Sequence, residues 1–192
     1  MRIVAGKHKG KHIHGPTGVE IRPTSDRVRE AIFNILAHSD WGQNEPSGIQ
    51  GTRVLDGFCG TGALGLEALS RGSHFTTFID NNFTSLDLCK RNVANLGEAE
   101  TSAILRGDCL NPVKADDPCD LVFLDPPYKK DITSDALTAL SNAGWIAEGA
   151  VCVLETSNKL STEPPKNFEF RNHRSYGSTL ITFLTYQPNY TS

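Results

Sequence analysis

Long apolar runs are missing from this chain, and so is any paired cysteine spacing. No stretch approaches the roughly 20 apolar residues that a bilayer-spanning helix needs. Met1 to Gly6 lead straight into polar, basic sequence, without the apolar segment of a secretory leader. A cytoplasmic protein with no membrane partner is expected. The five cysteines, Cys59, Cys89, Cys109, Cys119 and Cys152, form no CxxC or CxxH pair and are odd in number. That speaks against a zinc site and against a disulfide framework; no metal is expected, and the thiols read as reduced, structural groups. Internal repeats and low-complexity segments are absent too. What is left, 192 residues with 38% hydrophobic and 21% charged, suits one globular domain with a small appendage.

A strong positive balance is also lacking: net charge is −3. The distribution is uneven, however. Residues 1–40 hold seven Lys/Arg against four acids, and the remainder holds twelve against eighteen. Residues 1–14 carry four Lys/Arg, three His and no acid. A basic arm on an acidic body can contact phosphates although the total is negative. A solvated surface hairpin is the equal alternative on charge alone.

Organisation follows from periodicity. Arg2–Ala5 and Lys11–His14, joined through Gly6 to Gly10, predict a small basic hairpin, and Pro16 to Pro23 a turn-rich connector. Ser25 caps a predicted helix with Val28, Ala31, Ile32, Ile35 and Leu36 on one face, and Asp26 in its first turn. Residues 38–51 read as a polar linker. From residue 52, strands and helices alternate: strands at 53–56, 75–79, 101–105, 120–124 and 151–155, helices at 63–71, 83–96 and 134–143. A terminal antiparallel hairpin spans 169–175 and 179–186. We expect an α/β chain divided at 1–24 and 25–192, with a mainly parallel sheet covered by helices on both faces. Ligands of such folds bind beyond the carboxyl ends of the strands.

At the first of those ends, Asp56-Gly57-Phe58-Cys59-Gly60-Thr61-Gly62-Ala63-Leu64-Gly65 contains the spacing of a dinucleotide fingerprint, and Asp80 lies 18 residues beyond Gly62. A nicotinamide oxidoreductase is therefore the rival from another class. Asp56 speaks against it, because a carboxylate placed where a pyrophosphate must sit wastes the helix N-terminus. S-adenosylmethionine, with an ammonium, a sulfonium and no phosphate, suits the loop better. In this reading Asp56 meets the amino acid end and Gly60 and Gly62 admit close backbone approach. Asp80, with Asn81 beside it, takes the ribose hydroxyls. Asp108 takes the adenine amine with Cys109 beside the ring, and Phe58 lines the pocket. A loop cap is the plain alternative for each aspartate alone; three at successive strand ends argue for a site.

Asp125-Pro126-Pro127-Tyr128 closes the apolar run Leu121–Leu124. Proline has no N–H and a fixed φ, so strand pairing stops there. Free carbonyls in a rigid turn, beside an acid and an aromatic ring, are the groups needed to grip a nucleobase by its exocyclic amine.

With these residues in view, the chain resembles amino-directed, S-adenosylmethionine-dependent methyltransferases, whose Rossmann-like fold is then expected. The opening, Met1–Gly6 with Lys9-Gly10, and the segment Arg22-Pro23-Thr24-Ser25-Asp26-Arg27-Val28-Arg29 through Leu36 closely resemble the bacterial RsmD family. Its members methylate the exocyclic amine of one guanine in 16S ribosomal RNA of the small subunit. The likeness covers nearly the whole chain. It implies that Asp125 and a carbonyl of Pro126 or Pro127 accept the amine hydrogens, that Tyr128 stacks on the base, and that Thr24 lies near the cofactor. Lys7, Lys9 and Lys11 are expected on the RNA backbone. Arg22, Arg27 and Arg29 are candidates for phosphate contacts or for fixing Thr24, with a packing role for the helix of Arg27 and Arg29 equally open. The family loop usually reads Asp-Leu-Phe-Ala-Gly-Ser-Gly; here Gly57, Cys59 and Thr61 depart from it, Gly57 adding freedom and Cys59 bulk. Within the same chemistry, an adenine-N6 methyltransferase shares Asp-Pro-Pro-Tyr but normally needs an added reading domain, for which no room remains. A glutamine-directed enzyme has Asn where Asp125 stands. A monomer is expected.

Overall fold

The computed structural model describes residues 1–15, 25–39, 41, 48–127, 132–158 and 163–188. Its helices are α1 (Asp26–His38), α2 (Ala63–Ser70), α3 (Phe83–Leu96) and α4 (Thr133–Asn142), with a 3-10 turn at Ala99–Thr101. Its strands are β1 (Arg53–Gly57), β2 (Phe75–Asp80), β3 (Ser102–Arg106), β4 (Cys119–Leu124), β5 (Ile146–Ser157), β6 (Phe168–Tyr176) and β7 (Thr179–Tyr186). All seven strands join one sheet in the order β3-β2-β1-β4-β5-β7-β6. β1 to β5 are parallel, and β7 and β6 complete the sheet antiparallel. The chain order reverses at β1, which has β2 on one side and β4 on the other. That switch point is where the two adjoining crossovers leave a crevice.

Alternation along the strands sends side chains to two cores. Val122 and Leu124 face α4 with Leu137, Leu140, Cys152 and Leu154, whereas Leu121 and Phe123 face α1 with Ile32, Phe33, Val153 and Phe183. Ser25 caps α1 as expected, accepting from the Val28 N–H at 3.3 Å. α3 runs from Phe83 to Leu96 and ends at Gly97 in the left-handed conformation, also as expected.

Two sequence expectations change, and a third is filled out. Residues 38–51 are not wholly a polar linker. Trp41 is buried against Phe183 at 5.7 Å and donates its indole N–H to the Leu36 carbonyl. β5 is twelve residues long rather than five, because its start pairs with Cys119 across an irregularity in register. The N-terminal hairpin forms as a short one: Arg2 bridges His12, the Ile3 N–H donates to the Lys11 carbonyl, the Ile13 N–H to the Met1 carbonyl and the Gly10 N–H to the Ile3 carbonyl. Its apolar members have a different use: Ile3 and Ile13 are buried in a third core with Leu66, Leu69, Phe78, Leu86 and Leu96. Burying each is worth about 1.5–3 kcal/mol, so packing on α2 and α3 docks the paired arm against the domain.

Candidate active site

The carboxyl ends of β3, β2, β1 and β4 lie side by side, with Asp80 paired to Arg106, Gly57 to Ile79 and Gly57 to Leu124. Asp108, Asp80, Phe58 and Asp125, each at or just past such an end, therefore line one edge in that order. Asp125 is half-buried, Pro126 buried and Pro127 exposed. Tyr128, like Thr24 and Arg22, lies outside the described residues.

The glycine loop is built around its acids. Asp56 is 2% exposed, and its Oδ2 accepts the Gly65 N–H at 2.8 Å, which caps the first turn of α2 from outside the helix. Burial pushes this carboxyl up to about 8, against the lowering bond from Gly65 and with a smaller push from Asp80. Asp80 Oδ2 accepts the Gly60 N–H at 2.9 Å, and its Oδ1 accepts the Asn82 N–H at 2.8 Å. Asp108 Oδ1 accepts from Leu110 at 2.9 Å. Each acid thus shapes its own loop, and each keeps lone pairs in reserve. Asn81 is exposed beside Asp80.

That arrangement bears directly on which ligand the loop can hold. A pyrophosphate needs free N–H groups at the loop and at the helix N-terminus. Here the Gly60 and Gly65 N–H groups are already given to carboxylates. The donor set is acidic and fits a cationic ligand carrying ribose and adenine, which is what S-adenosylmethionine is. Gly62, at φ +78°, starts α2 in the left-handed region, and a Cβ there would lie 2.7 Å from Cys89 Sγ. Phe58 adopts φ +57°, uncommon for a non-glycine residue. Burial pushes the neighbouring Cys109 thiol up to about 12, against a smaller lowering influence of the Phe58 backbone. The buried Cys109 thus stays a neutral thiol under the loop.

Gly57 corrects the expectation of added freedom. It is a strand residue inside β1, and a Cβ there would lie 2.7 Å from a Leu124 methyl and 3.1 Å from Cys109 Sγ. Its role is to let β4 and Cys109 close against β1. Arg29 is a second correction. It is fully buried, with its Nε 3.4 Å from Glu67 Oε2 and its Nη2 bonded to Asp26 and to the Arg2 carbonyl. A phosphate cannot reach it, so it packs rather than contacting RNA; the remaining role, fixing Thr24, lies outside the described residues. Arg27 is exposed on the same helix. Lys9 and Lys11 are exposed on the arm, while Lys7 pairs with Glu98 at 2.7 Å.

Two residues of this neighbourhood escape a motif search. Glu67, fully buried in α2, accepts from the Val4 and Ala5 N–H groups at 2.8 and 3.0 Å, and pairs with Arg29 and Arg71. Asn92, 1% exposed in α3, accepts from the His14 N–H and donates to the carbonyls of His14 and Thr61. One amide therefore joins the arm to the glycine loop. A polar residue on an otherwise apolar helix face was the only sequence signal of either.

Comparison with known proteins agrees with this geometry. The family model described as conserved hypothetical protein 95 matches residues 1–185. The chain belongs to this family, that of ribosomal RNA small subunit methyltransferase D. The protein of that name from Escherichia coli K12 is 30% identical over 190 residues, covering 97% of this chain and 89% of its own. Its Haemophilus influenzae namesake is 30% identical over 191 residues, covering 97% and 93%. A solved Escherichia coli structure, yhhF, described as a candidate methyltransferase, superposes with a TM-score of 0.80 at 28% identity over 97% of this chain and 98% of its own. The fold of this family member is the Rossmann-like methyltransferase fold, with the C-terminal antiparallel hairpin expected above. Among the described residues no helix is long and apolar enough to cross a membrane.

Proposed function

We propose that this chain transfers a methyl group from S-adenosylmethionine to the exocyclic N2 amine of a guanine in 16S ribosomal RNA. One observation carries the reading. The acid-Pro-Pro turn leaves β4 directly beside the glycine loop leaving β1, through the Gly57–Leu124 pair. Relatives matching nearly the whole chain carry the name of a small subunit ribosomal RNA methyltransferase.

In this reading Asp80 and Asn81 hold the ribose, Asp108 and Cys109 the adenine, and Asp56 faces the ammonium across Gly60 and Gly62, with Phe58 and Thr24 closing the pocket. Bound S-adenosylmethionine supplies an electrophilic methyl on a sulfonium. An ammonium near Asp56 draws that carboxyl back towards its ionised form. The guanine amine is a poor nucleophile because its lone pair is delocalised into the ring. Asp125 Oδ and the carbonyl of Pro126 or Pro127 accept its two hydrogens and aim the nitrogen. Alignment of this kind lowers barriers by roughly 7–11 kcal/mol in favourable cases, and the carboxylate stabilises the positive charge growing on nitrogen. As the N–C bond forms and the S–C bond breaks, one amine proton passes to Asp125 or to water. Tyr128 stacks on the base, a contact worth about 1–3 kcal/mol. Lys9, Lys11, Arg22 and Arg27 contact RNA phosphates; Lys7 does so only by leaving Glu98. The protein acts as a cytoplasmic monomer on free RNA or on the small subunit.

We expect Asp125→Ala to lower kcat by at least about 10²-fold with S-adenosylhomocysteine binding intact; near wild-type turnover would remove Asp125 from the chemistry. Mapping methylated guanines in ribosomal RNA from a strain lacking this gene, with and without complementation, tests the substrate. An unchanged methylation map defeats the assignment.

A further inference from the structure

The C-terminal edge of the sheet is unaccounted for by anything above. β6 is the outermost strand, and its segment Phe170-Arg171-Asn172-His173-Arg174-Ser175-Tyr176 has two arginines and a histidine but no acid, in a chain of net charge −3. Phe170 is 48% exposed, and its ring meets that of His173 at 5.6 Å. Arg174 is exposed, its guanidinium held by Asn172 Oδ1 at 2.5 Å and by the His173 carbonyl at 2.8 Å. Arg171, at the irregularity in register between Phe170 and Asn172, leans on Glu169 at 3.4 Å.

Register carries this strand to the active site. Leu124 pairs with Leu154, Leu154 with Thr182, and Thr182 with His173. His173 therefore shares a row with the residue just before Asp125, and Arg174 lies one position further in the direction of the carboxyl edge. Three strand spacings of about 4.8 Å separate β4 from β6, roughly 14 Å. The turn that ends β6 is tied back to the end of β5, where Asn158 donates to the Ser178 and Gly177 carbonyls. The basic, aromatic strand thus flanks the same edge of the sheet from which the acid-Pro-Pro turn departs.

We propose that β6 is a second RNA-binding edge, in which Arg174, on the sheet face of Ile181, contacts phosphates with Arg171, while Phe170 and His173, on the opposite face with Leu184 and Thr182, stack on an unpaired base flanking the target. This rests on the RNA methyltransferase reading above. The combination of cations with an exposed ring is what single-stranded RNA selects. Protection of a sheet edge from pairing needs charge and a bulge, but no exposed phenylalanine.

The test uses the full chain with a protein-free 16S ribosomal RNA transcript, measuring binding across a salt series and methyl incorporation. The double variant Arg171→Glu/Arg174→Glu keeps a charged edge and reverses its sign. We expect RNA affinity to fall by about tenfold or more and the log–log salt slope to lose about 1.4, from two phosphate contacts. S-adenosylhomocysteine affinity and sedimentation should match the wild type. Phe170→Ala should weaken binding by about tenfold with the slope unchanged. Unaltered affinity and slope in the double variant overturn the proposal, as does loss of binding found only in self-associated protein. If the wild type methylates RNA and the variants bind normally, this proposal alone fails. A wild type that transfers no methyl to RNA overturns the underlying reading and this one with it.

Discussion

The N-terminal arm and the C-terminal hairpin are both short, basic and rich in histidine or arginine, yet the fold uses their charges in opposite ways. On the arm side several basic groups are spent on buried carboxylates, while Lys9 and Lys11 stay exposed. Lys7 and His8 converge on Glu98, and Arg29 and Arg71 converge on Glu67, which also holds the Val4 and Ala5 N–H groups. The outer strand β6 is held by main-chain pairing with β7 and by Phe168 in the core, and Phe170, His173 and Arg174 stay exposed. A basic group beside a buried carboxylate is spent on holding the chain; one on an edge with no buried acid beneath it is presented. Counting Lys and Arg along a sequence does not separate the two.

The largest expected effect breaks the arm's anchor. Glu67→Ala takes from buried Arg29 its buried carboxylate, leaving the exposed one of Asp26, and leaves two N–H groups without that acceptor; it should cost about 3–5 kcal/mol in urea denaturation. A loss under 1 kcal/mol would mean that the apolar contacts of Ile3 and Ile13 hold the arm alone. Next is Asn92→Ala, expected to cost about 1–3 kcal/mol and to weaken S-adenosylhomocysteine binding, because the Thr61 carbonyl and the arm lose their common partner. Lower stability with unchanged cofactor affinity would confine Asn92 to holding the arm.

The smallest effect concerns Glu98 and pH. Burial raises its pKa, but hydrogen bonds from Lys7, Thr101 and His8 outweigh this and leave it below its ordinary 4.5. A depressed carboxyl contributes stability that is present above 4.5 and is lost as pH falls through the folded value. Glu98→Gln should therefore flatten the acid limb of the stability curve, by less than about 1 kcal/mol because Lys7 is 55% exposed. Lys9→Ser/Lys11→Ser should leave that limb alone and lower the salt slope of RNA binding. The reverse pattern would exchange the roles assigned to these lysines.

Much of the fold was legible because it is written in local signals. The Ser25 cap, the Gly97 stop and the alternating strands need only neighbouring residues. The three acids and the Asp125-Pro126-Pro127 turn were legible because chemistry demands those residue types at strand ends. Gly57 was misread, and Arg29 left undecided, for one reason. What surrounds them comes from distant parts of the chain: Leu124 and Cys109 for Gly57, Glu67 for Arg29. Trp41 was missed because a single aromatic in a polar stretch has no period.

By itself the sequence determined the class of fold, the acidic loop and the acid-Pro-Pro turn, since each depends on the intrinsic preferences of a few adjacent residues. The tertiary structure alone decided which cations are consumed and which are offered. It also decided that one amide, Asn92, links the arm to the glycine loop, and that β6 is brought within three strands of Asp125. Burial and register are properties of the assembled sheet, and both act across separations that no local pattern records.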